Sequence, residues 1–361
     1  MIGKGDEYPL HQTPEPVGFV STRSSNFYDR FFFNGFDRDG EVFFAVAFGT
    51  YPNRGVVDAA FSVLHDGRQR TIRASRAATR ERLDLQVGPI RVEILEPLRR
   101  LRVLVEPNPW QLSADLVFEG RAGVIEEPRF RREHKGYLFL DYSRMTQHTT
   151  VRGVLGLRGR EIRVEPGRFW GTRDRSWGIR PLGGGDPEAP ELPLQFYWLW
   201  APVHFEDLCT HFAVNEDERG GRWHQGGAVV RVGGEPESCA AVDYRLGFRK
   251  GTRRVSSATL VLATPSRGRL EIELEPVCEF SMSALGYLHP EWGHGMFVGD
   301  NVVDGEEWEL SEVDPTAPLH WHVQALCRAR CGNRQGVGVL EQLFFGPHEP
   351  SGFRELYDPA S

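Results

Sequence analysis

Hydrophobic and polar residues alternate with a period of two along most of the chain, and the 3.6-residue period of amphipathic helices is nearly absent. The alternation is clear in EVFFAVAFG (41–49), LRVLVEP (101–107) and LSADLVFEG (112–120), and turn residues follow each run. The segment TVRGVLGLRGREIRVEPG (150–167) reads as a hairpin that turns at Arg158-Gly159. The pattern therefore predicts an all-β protein built from antiparallel strands.

An irregular segment, PLGGGDPEAPELP (181–193), interrupts the alternation almost midway along the chain. We therefore predict two tandem lipocalin-like β domains, at 1–183 and 190–361. The 40 glycines and 24 prolines are spread along both halves and supply the turns that a barrel or sandwich needs. A small closed β-barrel has an interior that can hold one apolar ligand.

Composition and charge narrow the class of protein. Hydrophobic residues make up 40% of the 361 residues, and the formal net charge of −7 argues against a nucleic-acid partner. The N-terminus lacks the apolar core of a secretory signal, and no apolar run is long enough to span a membrane. All five cysteines lie in the second half, at spacings that match no zinc-binding pattern, as is typical of buried thiols in a reducing compartment. We expect a cytoplasmic protein.

Candidate chemistry is concentrated in RFWGTRDRSWGIRP (168–181), where one carboxylate, Asp174, lies among arginines and tryptophans. If Arg173 and Arg175 point toward Asp174, their charges hold it ionised. If they point away and the tryptophans bury it, its pKa rises and it can donate a proton near neutral pH. A structural arrangement, with Trp177 stacked under an arginine, is also open. We take Asp174 as the candidate proton donor, and Arg173 and Trp177 as candidate substrate-binding residues.

Aromatic residues supply candidate walls for an apolar pocket. The stretch QFYWLW places Phe196, Trp198 and Trp200 on one face of a strand, which suits contact with a ligand, with the other domain or with the core. The stretch SSNFYDRFFFNGF brings Asn26 and Tyr28 among phenylalanines, and polar groups beside large rings can orient an apolar ligand. We take all five as candidate substrate-binding residues, although a packed strand or hairpin has the same pattern.

The second half adds histidines and a glutamate. The stretch HPEWGHG contains His294, a candidate acid or base, and Trp292, a candidate pocket wall. The stretch GVGVLEQ places Glu341, a further candidate substrate-binding residue, on a strand after a glycine-rich bend. In HWH, His320 and His322 are predicted to lie about 6.6 Å apart on one strand face. With His294 or Glu341 as a further ligand, this pair is a candidate metal site.

Residues 173–180, RDRSWGIR, resemble the R-D-x-S-W-G-x-R signature of a bacterial superfamily that includes the carotenoid 1,2-hydratases, or hydroxyneurosporene synthases. The stretches NFYDRFFFNGF, GYLHPEWGHGMFVGD and GNRQGVGVLEQLFFGPHEPSG are similar, in the same order, to a branch whose reactions are unassigned. The resemblance implies tandem lipocalin-like domains, with an apolar pocket in the first barrel and the region between the domains. It also implies cofactor-free enzymes that hydrate or cyclise polyenes or polyketides. Relatives commonly have histidine in place of Arg175, which argues against a proton relay through that position.

The leading hypothesis is a cofactor-independent lyase or isomerase that hydrates, isomerises or cyclises a C=C bond in a hydrophobic small molecule such as an isoprenoid, polyketide or lipid. Asp174, or secondly His294, is expected to supply the proton, and aromatic rings to stabilise the resulting cation. The chain has no Walker loop, nucleophile elbow or dinucleotide-binding fingerprint, so we expect no nucleotide cofactor. A carrier or sensor of a hydrophobic ligand needs the same pocket without a titrating group. A metal-dependent enzyme built on the histidines is a third possibility.

Overall fold

Two large antiparallel sheets hold almost every strand of the chain. The computed structural model describes residues 2–186 and 189–360. The strands of the first sheet are β1 (Phe27–Asp37), β2 (Val42–Tyr51), β3 (Val56–His65), β4 (Arg68–Ala77), β5 (Gln86–Val87), β6 (Ile90–Glu96), β7 (Arg100–Val105), β8 (Leu112–Gly120), β9 (Ile125–Glu126), β10 (Phe130–His134), β11 (Tyr137–Leu157), β12 (Arg160–Val164), β13 (Phe169–Ile179) and β21 (Val302–Glu309). The strands of the second sheet are β14 (Phe196–Phe205), β15 (Leu208–Glu216), β16 (Arg222–Arg231), β17 (Glu237–Ser238), β18 (Ala241–Phe248), β19 (Val255–Thr264), β20 (Gly268–Ser281), β22 (His322–Cys331) and β23 (Arg334–Phe345).

Short 3₁₀ turns complete the secondary structure, and within the described ranges there is no α-helix. These turns are η1 (Lys4–Glu7), η2 (Met282–Leu285), η3 (Leu310–Glu312), η4 (Pro318–His320) and η5 (Glu349–Ser351). No helix in this part of the chain is long and apolar enough to cross a membrane. Both sheets curl, and the prediction of an all-β, lipocalin-like fold is confirmed.

The predicted hairpin that turns at Arg158-Gly159 is confirmed. Strands β11 and β12 pair on either side of Arg158-Gly159, and these two residues have φ angles of 51° and 75°. Two successive positive φ angles are typical of the tight turns whose twist matches that of paired strands. Strand β11 itself is 21 residues long and pairs along its length with β13, β8, β9, β10 and β12.

The predicted domain division at 1–183 and 190–361 stays a prediction. One strand from the second half of the chain belongs to the first sheet. Strand β21 comes from the second half of the chain but pairs with β4 at the edge of the first sheet, with Val302 opposite Ser75 and Glu309 opposite Arg68. Met1, Pro187, Glu188 and Ser361, at the ends of the chain and in the predicted linker, lie outside the described residues.

Alternation along the strands separates a core inside each curled sheet from a layer between the sheets. On β1, Phe31 and Phe33 pack with Val46 and Phe118 inside the first sheet. Phe32 points the other way and packs with Phe280 and other residues between the sheets. Because successive side chains on a strand point to opposite faces, one strand supplies both layers. The layer between the sheets is where polar and aromatic groups from both halves meet.

Candidate active site

The first sheet presents several polar side chains to the second sheet. Asn34 on β1 donates a hydrogen bond from Nδ2 to Oε1 of Gln324 on β22, at 2.9 Å. Arg30, four residues earlier on the same face, is 2% exposed and reaches His294 in the loop after β20. Burying such groups is costly unless each finds a partner or a ligand. A polar centre is therefore built into the layer between the sheets.

Asp174 lies in this centre. It is on β13, with Phe32 of β1 opposite it on one side and Thr146 of β11 on the other. Thr172 and Ser176, two residues away in each direction, lie on the same face of the strand. Asp174 keeps part of its surface accessible, whereas Thr172 and Ser176 are buried. Its side chain therefore faces the layer between the sheets.

The arginines and the tryptophan that surround Asp174 in the sequence lie on the opposite face of β13. Nε of Arg173 donates to Oε1 of Gln147 at 2.8 Å, and Arg175 forms an ion pair with Asp29. Trp177 is 42% exposed. The residues of the motif therefore point to opposite faces of β13. Asp174 faces the second sheet, while Arg173, Arg175 and Trp177 do not. Of the arrangements that the residues left open, the structure has the flanking arginines pointing away, but Trp177 does not cover Asp174.

Tryptophans and a glutamate from the second sheet face this centre. Trp198 and Trp200 alternate on β14 with Tyr197 and Leu199, which pack inside the second sheet. Trp200 lies opposite Glu341 of β23 in the strand register. Both tryptophans are almost fully buried in a cluster with Tyr28, Phe130 and Tyr142 of the first sheet. Its partly exposed margin includes Phe196, Trp223 and Leu343. This aromatic cluster forms an apolar end of the layer between the sheets.

Glu127 is a buried carboxylate that collects most of the donors near Asp174. Arg144 donates to it from Nε at 3.0 Å and from Nη2 at 2.7 Å. The hydroxyl of Thr146 donates at 2.5 Å, and the indole N–H of Trp200 at 3.2 Å. Burial opposes ionisation, but the charges of Arg144 and His211 and their hydrogen bonds outweigh it and hold the pKa of Glu127 well below its usual range. Glu127 is therefore ionised.

Glu341 is a second ionised carboxylate, on the other sheet. It accepts hydrogen bonds from Nε2 of His322 and Nε2 of Gln324, both at 2.7 Å. Burial again opposes ionisation, and these hydrogen bonds with the charges of His322 and Arg144 hold the pKa of Glu341 below its usual value. Gln324 in turn accepts a hydrogen bond from Asn34, so Glu341 is connected by hydrogen bonds to the first sheet.

Asp174 differs from both glutamates because, among the described residues, no donor forms a hydrogen bond with its carboxyl group. Burial is the main reason that its pKa rises to about 7, and the negative charges of Glu127 and Glu341 raise it further. The charges of Arg144 and Arg30 act in the other direction. Asp174 is thus a carboxylic acid that holds its proton near neutral pH and can donate it.

Comparisons with known proteins bear on the family and the fold. A family of unknown function, DUF8625, matches residues 2–354. The chain belongs to this family. No curated protein matches the sequence.

Solved structures share the fold across nearly the whole chain. A candidate AttH protein from Nitrosomonas europaea superposes with a TM-score of 0.54 at 14% identity, covering 93% of this chain and 98% of that one. Kievitone hydratase from Nectria haematococca gives 0.55 at 12% identity, covering 95% of each chain. CghA in complex with Sch210972 gives 0.54 at 12% identity, covering 95% and 97%. At these identities the likeness shows the fold alone, which agrees with the fold expected from the carotenoid hydratase resemblance.

His294 lies beside this centre, but both of its ring nitrogens are engaged. Nε2 donates to the carbonyl of Leu285 at 2.8 Å, which leaves Nδ1 as an acceptor for Arg30 at 2.8 Å and Arg180 at 3.0 Å. Burial, together with the charges of the two arginines, holds the pKa of His294 well below its usual value. The ring is therefore neutral and lacks the free proton that a donor needs.

The remaining candidates lie at the margins. Asn26 is buried just before β1, where its amide donates to Asp186 and its oxygen accepts from Arg54. Phe196 is partly exposed and stacks with Phe345 at 6.1 Å between ring centres. Trp292 is half-buried in the loop that carries His294. These residues border the layer between the sheets and do not surround Asp174.

The predicted histidine pair on one strand face is wrong. His320 ends the 3₁₀ turn η4, and strand β22 begins only at His322. Nδ1 of His320 is 3.1 Å from the hydroxyl of Ser281, whereas His322 bonds to Glu341. Throughout residues 2–186 and 189–360, no three histidine, cysteine or acidic side chains come together as metal ligands.

Sequence reasoning missed the residues that set the state of Asp174. Glu127 and Arg144 lie outside the motifs, and nothing in their neighbourhood suggested a buried ion pair. The available signal was the period-two alternation upstream of residue 150, which extends β11 to Tyr137 and places Arg144, Thr146 and His148 on one face. With β13 next to β11, that face contains Asp174.

Proposed function

We propose that the protein is an enzyme that transfers a proton to a C=C bond of a hydrophobic small molecule held between the two sheets. Asp174 is the general acid, and no cofactor takes part. The observation that carries the proposal is a carboxyl group without a hydrogen-bond partner in the described chain, kept protonated near neutral pH by burial and by the charges of two ionised carboxylates. A general acid is most effective when its pKa lies near the working pH.

The surroundings fit the charge that such a step creates. Transfer of the proton from the carboxyl oxygen of Asp174 to one alkene carbon leaves a carboxylate and a carbocation. Glu127 and Glu341, whose negative charges act on Asp174, also favour a cation formed beside it. The layer between the sheets thus stabilises the cationic transition state more than the neutral substrate.

The same cation can give three products, and the atoms balance in each reaction. Water can add its oxygen to the cation and return a proton to Asp174, which completes a hydration. A neighbouring C–H bond can lose its proton to Asp174, which completes an isomerisation. A second double bond of the ligand can attack the cation before that loss, which completes a cyclisation. A superposable protein is named a hydratase, which supports this class of reaction.

The test begins with the ligand. The purified protein is examined by native mass spectrometry, and any organic molecule released on denaturation is used as the substrate in D₂O. Acid catalysis places one solvent deuteron on carbon in the product. We expect Asp174→Asn to lower the rate of deuterium incorporation by about 10²- to 10⁴-fold.

A matched control is Asp115→Asn, because Asp115 is a strand carboxylate on the outside of the first sheet that pairs with Arg102. It is expected to keep the wild-type rate. Full activity in a folded Asp174→Asn protein excludes Asp174 as the acid. Ligand bound by the wild-type protein with no product at any pH identifies a carrier and refutes the enzyme.

A further inference from the structure

Two arginines beside the candidate active site, the buried Arg30 and the half-buried Arg180, have no carboxylate partner. Arg30 donates from Nη1 to His294 and from Nη2 to the carbonyl of Leu285. The only hydrogen bond made by the guanidinium of Arg180 within the described chain goes to the same nitrogen of His294. In each arginine the Nε–H is buried without a partner. Two positive charges therefore share one neutral acceptor.

The nearby carboxylates are occupied elsewhere. Arg144, on the same face of the first sheet, is neutralised by Glu127. Asp58 is close enough to feel the charges of Arg30 and Arg180, but its oxygens accept from the hydroxyl of Tyr51 and the backbone N–H of Gly295. Unpaired buried charges are unfavourable, and an anion supplied from outside relieves the cost.

Aromatic rings enclose the two guanidinium groups. Arg180 lies over the ring of Tyr28, 4.4 Å from its centre, and Arg30 lies 5.0 Å from the centre of the Tyr287 ring. Arg180 and Tyr287 are half-buried, whereas Arg30 is almost completely covered. Arg180 therefore keeps part of its surface accessible, and Arg30 lies next to it at the shared ring of His294.

Arg30, which shares the ring nitrogen of His294 with Arg180, is close to Asp174 along the sheet. Arg30 lies opposite Ser176, and Asp174 is two residues from Ser176 on the same face. Diagonal neighbours of this kind have Cα atoms roughly 7–8 Å apart. An anionic group held at the arginines therefore lies within the length of a small molecule from the acid.

We infer that the ligand of this site is a hydrophobic molecule that carries a carboxylate, bound by Arg180 with Arg30 next to it, beside the aromatic cluster of Tyr28 and Tyr142. The planar guanidinium matches the two oxygens of a carboxylate, and charge-assisted hydrogen bonds of this kind are among the stronger ones in proteins. His294 positions both arginines by accepting from each. The placement of the reacting double bond near Asp174 rests on the proposed function, but the carboxylate site does not.

Binding of a fluorescent polyene tests the inference without requiring turnover. The probes are cis-parinaric acid and its methyl ester, which have the same tail and differ in charge at about pH 8. We expect the wild-type protein to bind the acid at least about tenfold more tightly than the ester. Equal affinities, or no binding of either probe, overturn the inference.

Variants of Arg180 test whether this residue causes the preference for the acid over the ester. Arg180→Met keeps an apolar stem against Tyr28 and is expected to weaken binding of the acid to the level of the ester, while Arg180→Lys keeps most of the preference. Arg163→Gln, an exposed arginine on β12, is the control and is expected to behave as wild type. Equal weakening of both probes by Arg180→Met contradicts a carboxylate site. If that variant does not fold, the wild-type and Arg180→Lys comparisons carry the test.

The same measurement separates this inference from the proposed function. Asp174→Asn is expected to retain the preference for the acid, because the arginines that bind the carboxylate are unchanged. Loss of deuterium incorporation in Asp174→Asn says nothing about acid against ester binding. Conversely, a protein without the carboxylate preference can still protonate an uncharged alkene.

Discussion

Arg144 forms a two-pronged ion pair with Glu127, from Nε at 3.0 Å and Nη2 at 2.7 Å. The guanidinium lies on the face of the first sheet that also contains Asp174, and its charge acts on both carboxyl groups. Because Glu127 takes the hydrogen bonds, it is ionised, and its negative charge then opposes ionisation of Asp174. Two carboxyl groups in one layer are thus pushed toward opposite protonation states.

Glu127→Gln is expected to lower the pKa of Asp174 from about 7 toward its ordinary value. The substitution removes a negative charge that raises the pKa and leaves the positive charge of Arg144 without its partner. We expect a decrease of about one unit or more. The measurement is a ¹³C NMR titration of carboxyl groups, with the Asp174 signal assigned by its absence in Asp174→Asn.

Glu126→Gln is the matched control for this titration. Glu126 is the neighbouring residue but is exposed, whereas Glu127 is buried. The control is expected to leave the Asp174 titration in place. An unchanged or raised pKa of Asp174 in Glu127→Gln contradicts the coupling.

Asp174 should also make the stability of the protein depend on pH. The pKa is about 7 in the folded protein against an ordinary value of 3.8, so between these values the folded chain keeps a proton that the unfolded chain has released. Stability therefore decreases as pH rises through this window. We expect the free energy of unfolding of Asp174→Asn, relative to wild type, to be higher at about pH 8 than at about pH 4 by roughly 4 kcal/mol.

Guanidinium chloride unfolding at a series of pH values measures this difference. Asp115→Asn serves again as control, since Asp115 titrates on the outside of the sheet beside Arg102. A difference between wild type and Asp174→Asn that is constant with pH means that Asp174 ionises normally in the folded protein.

The elements that could be predicted from the sequence are those with local causes. Alternation marked strands such as β2, β7 and β8, and the hairpin at Arg158-Gly159 depends only on the residues of the turn itself. The pairing of β21 with β4 joins residues more than 200 positions apart, and no local pattern encodes it. The position of His320 in a 3₁₀ turn follows from Pro318, which suits the first turn of a helix, and a strand prediction through it fails.

Asp174 could be singled out from the sequence, but its protonation state could not. Its neighbours Arg173 and Arg175 dominate the motif, yet a strand turns adjacent side chains to opposite faces. The groups that act on Asp174 come from other strands: Arg30 from β1, Arg144 from β11 and Glu341 from β23. Which strands lie side by side is a property of the tertiary fold, so a single sequence does not reveal these charges.

Tryptophan fluorescence can tell whether a ligand enters the layer between the sheets. Trp198 is 5% exposed, belongs to the aromatic cluster and lies 4.7 Å from the guanidinium of Arg144, whereas Trp177 is on the far face of β13. Bound cis-parinaric acid accepts energy from nearby tryptophans, so the quenching depends strongly on distance. We expect Trp198→Phe to remove more of the ligand-induced quenching than Trp177→Phe. The reverse order indicates a ligand inside the first sheet.

His148 is expected to contribute to acid unfolding. It is fully buried on β11, its Nε2 donates to the carbonyl of Thr210 on the second sheet at 2.9 Å, and its ring lies 4.7 Å from that of His204. Burial is the main reason that its pKa falls to about 3, and the charges of His211 and Arg121 lower it further. The folded protein thus keeps His148 neutral where the unfolded chain takes up a proton.

The stability that depends on neutral His148 is present above about pH 6.5 and decreases as pH falls toward 3. His148→Gln keeps an N–H donor for Thr210 but does not titrate, so it is expected to lose less stability than wild type between about pH 6.5 and 4, by up to about 3 kcal/mol. Urea unfolding at each pH gives the two curves, with His134→Gln, at the end of β10, as the control. If the stability of wild type and of His148→Gln changes with pH in parallel, His148 is already charged in the folded protein, or its surroundings open to water in acid. A shallower curve for His148→Gln alone locates part of the acid sensitivity at the contact between the two sheets.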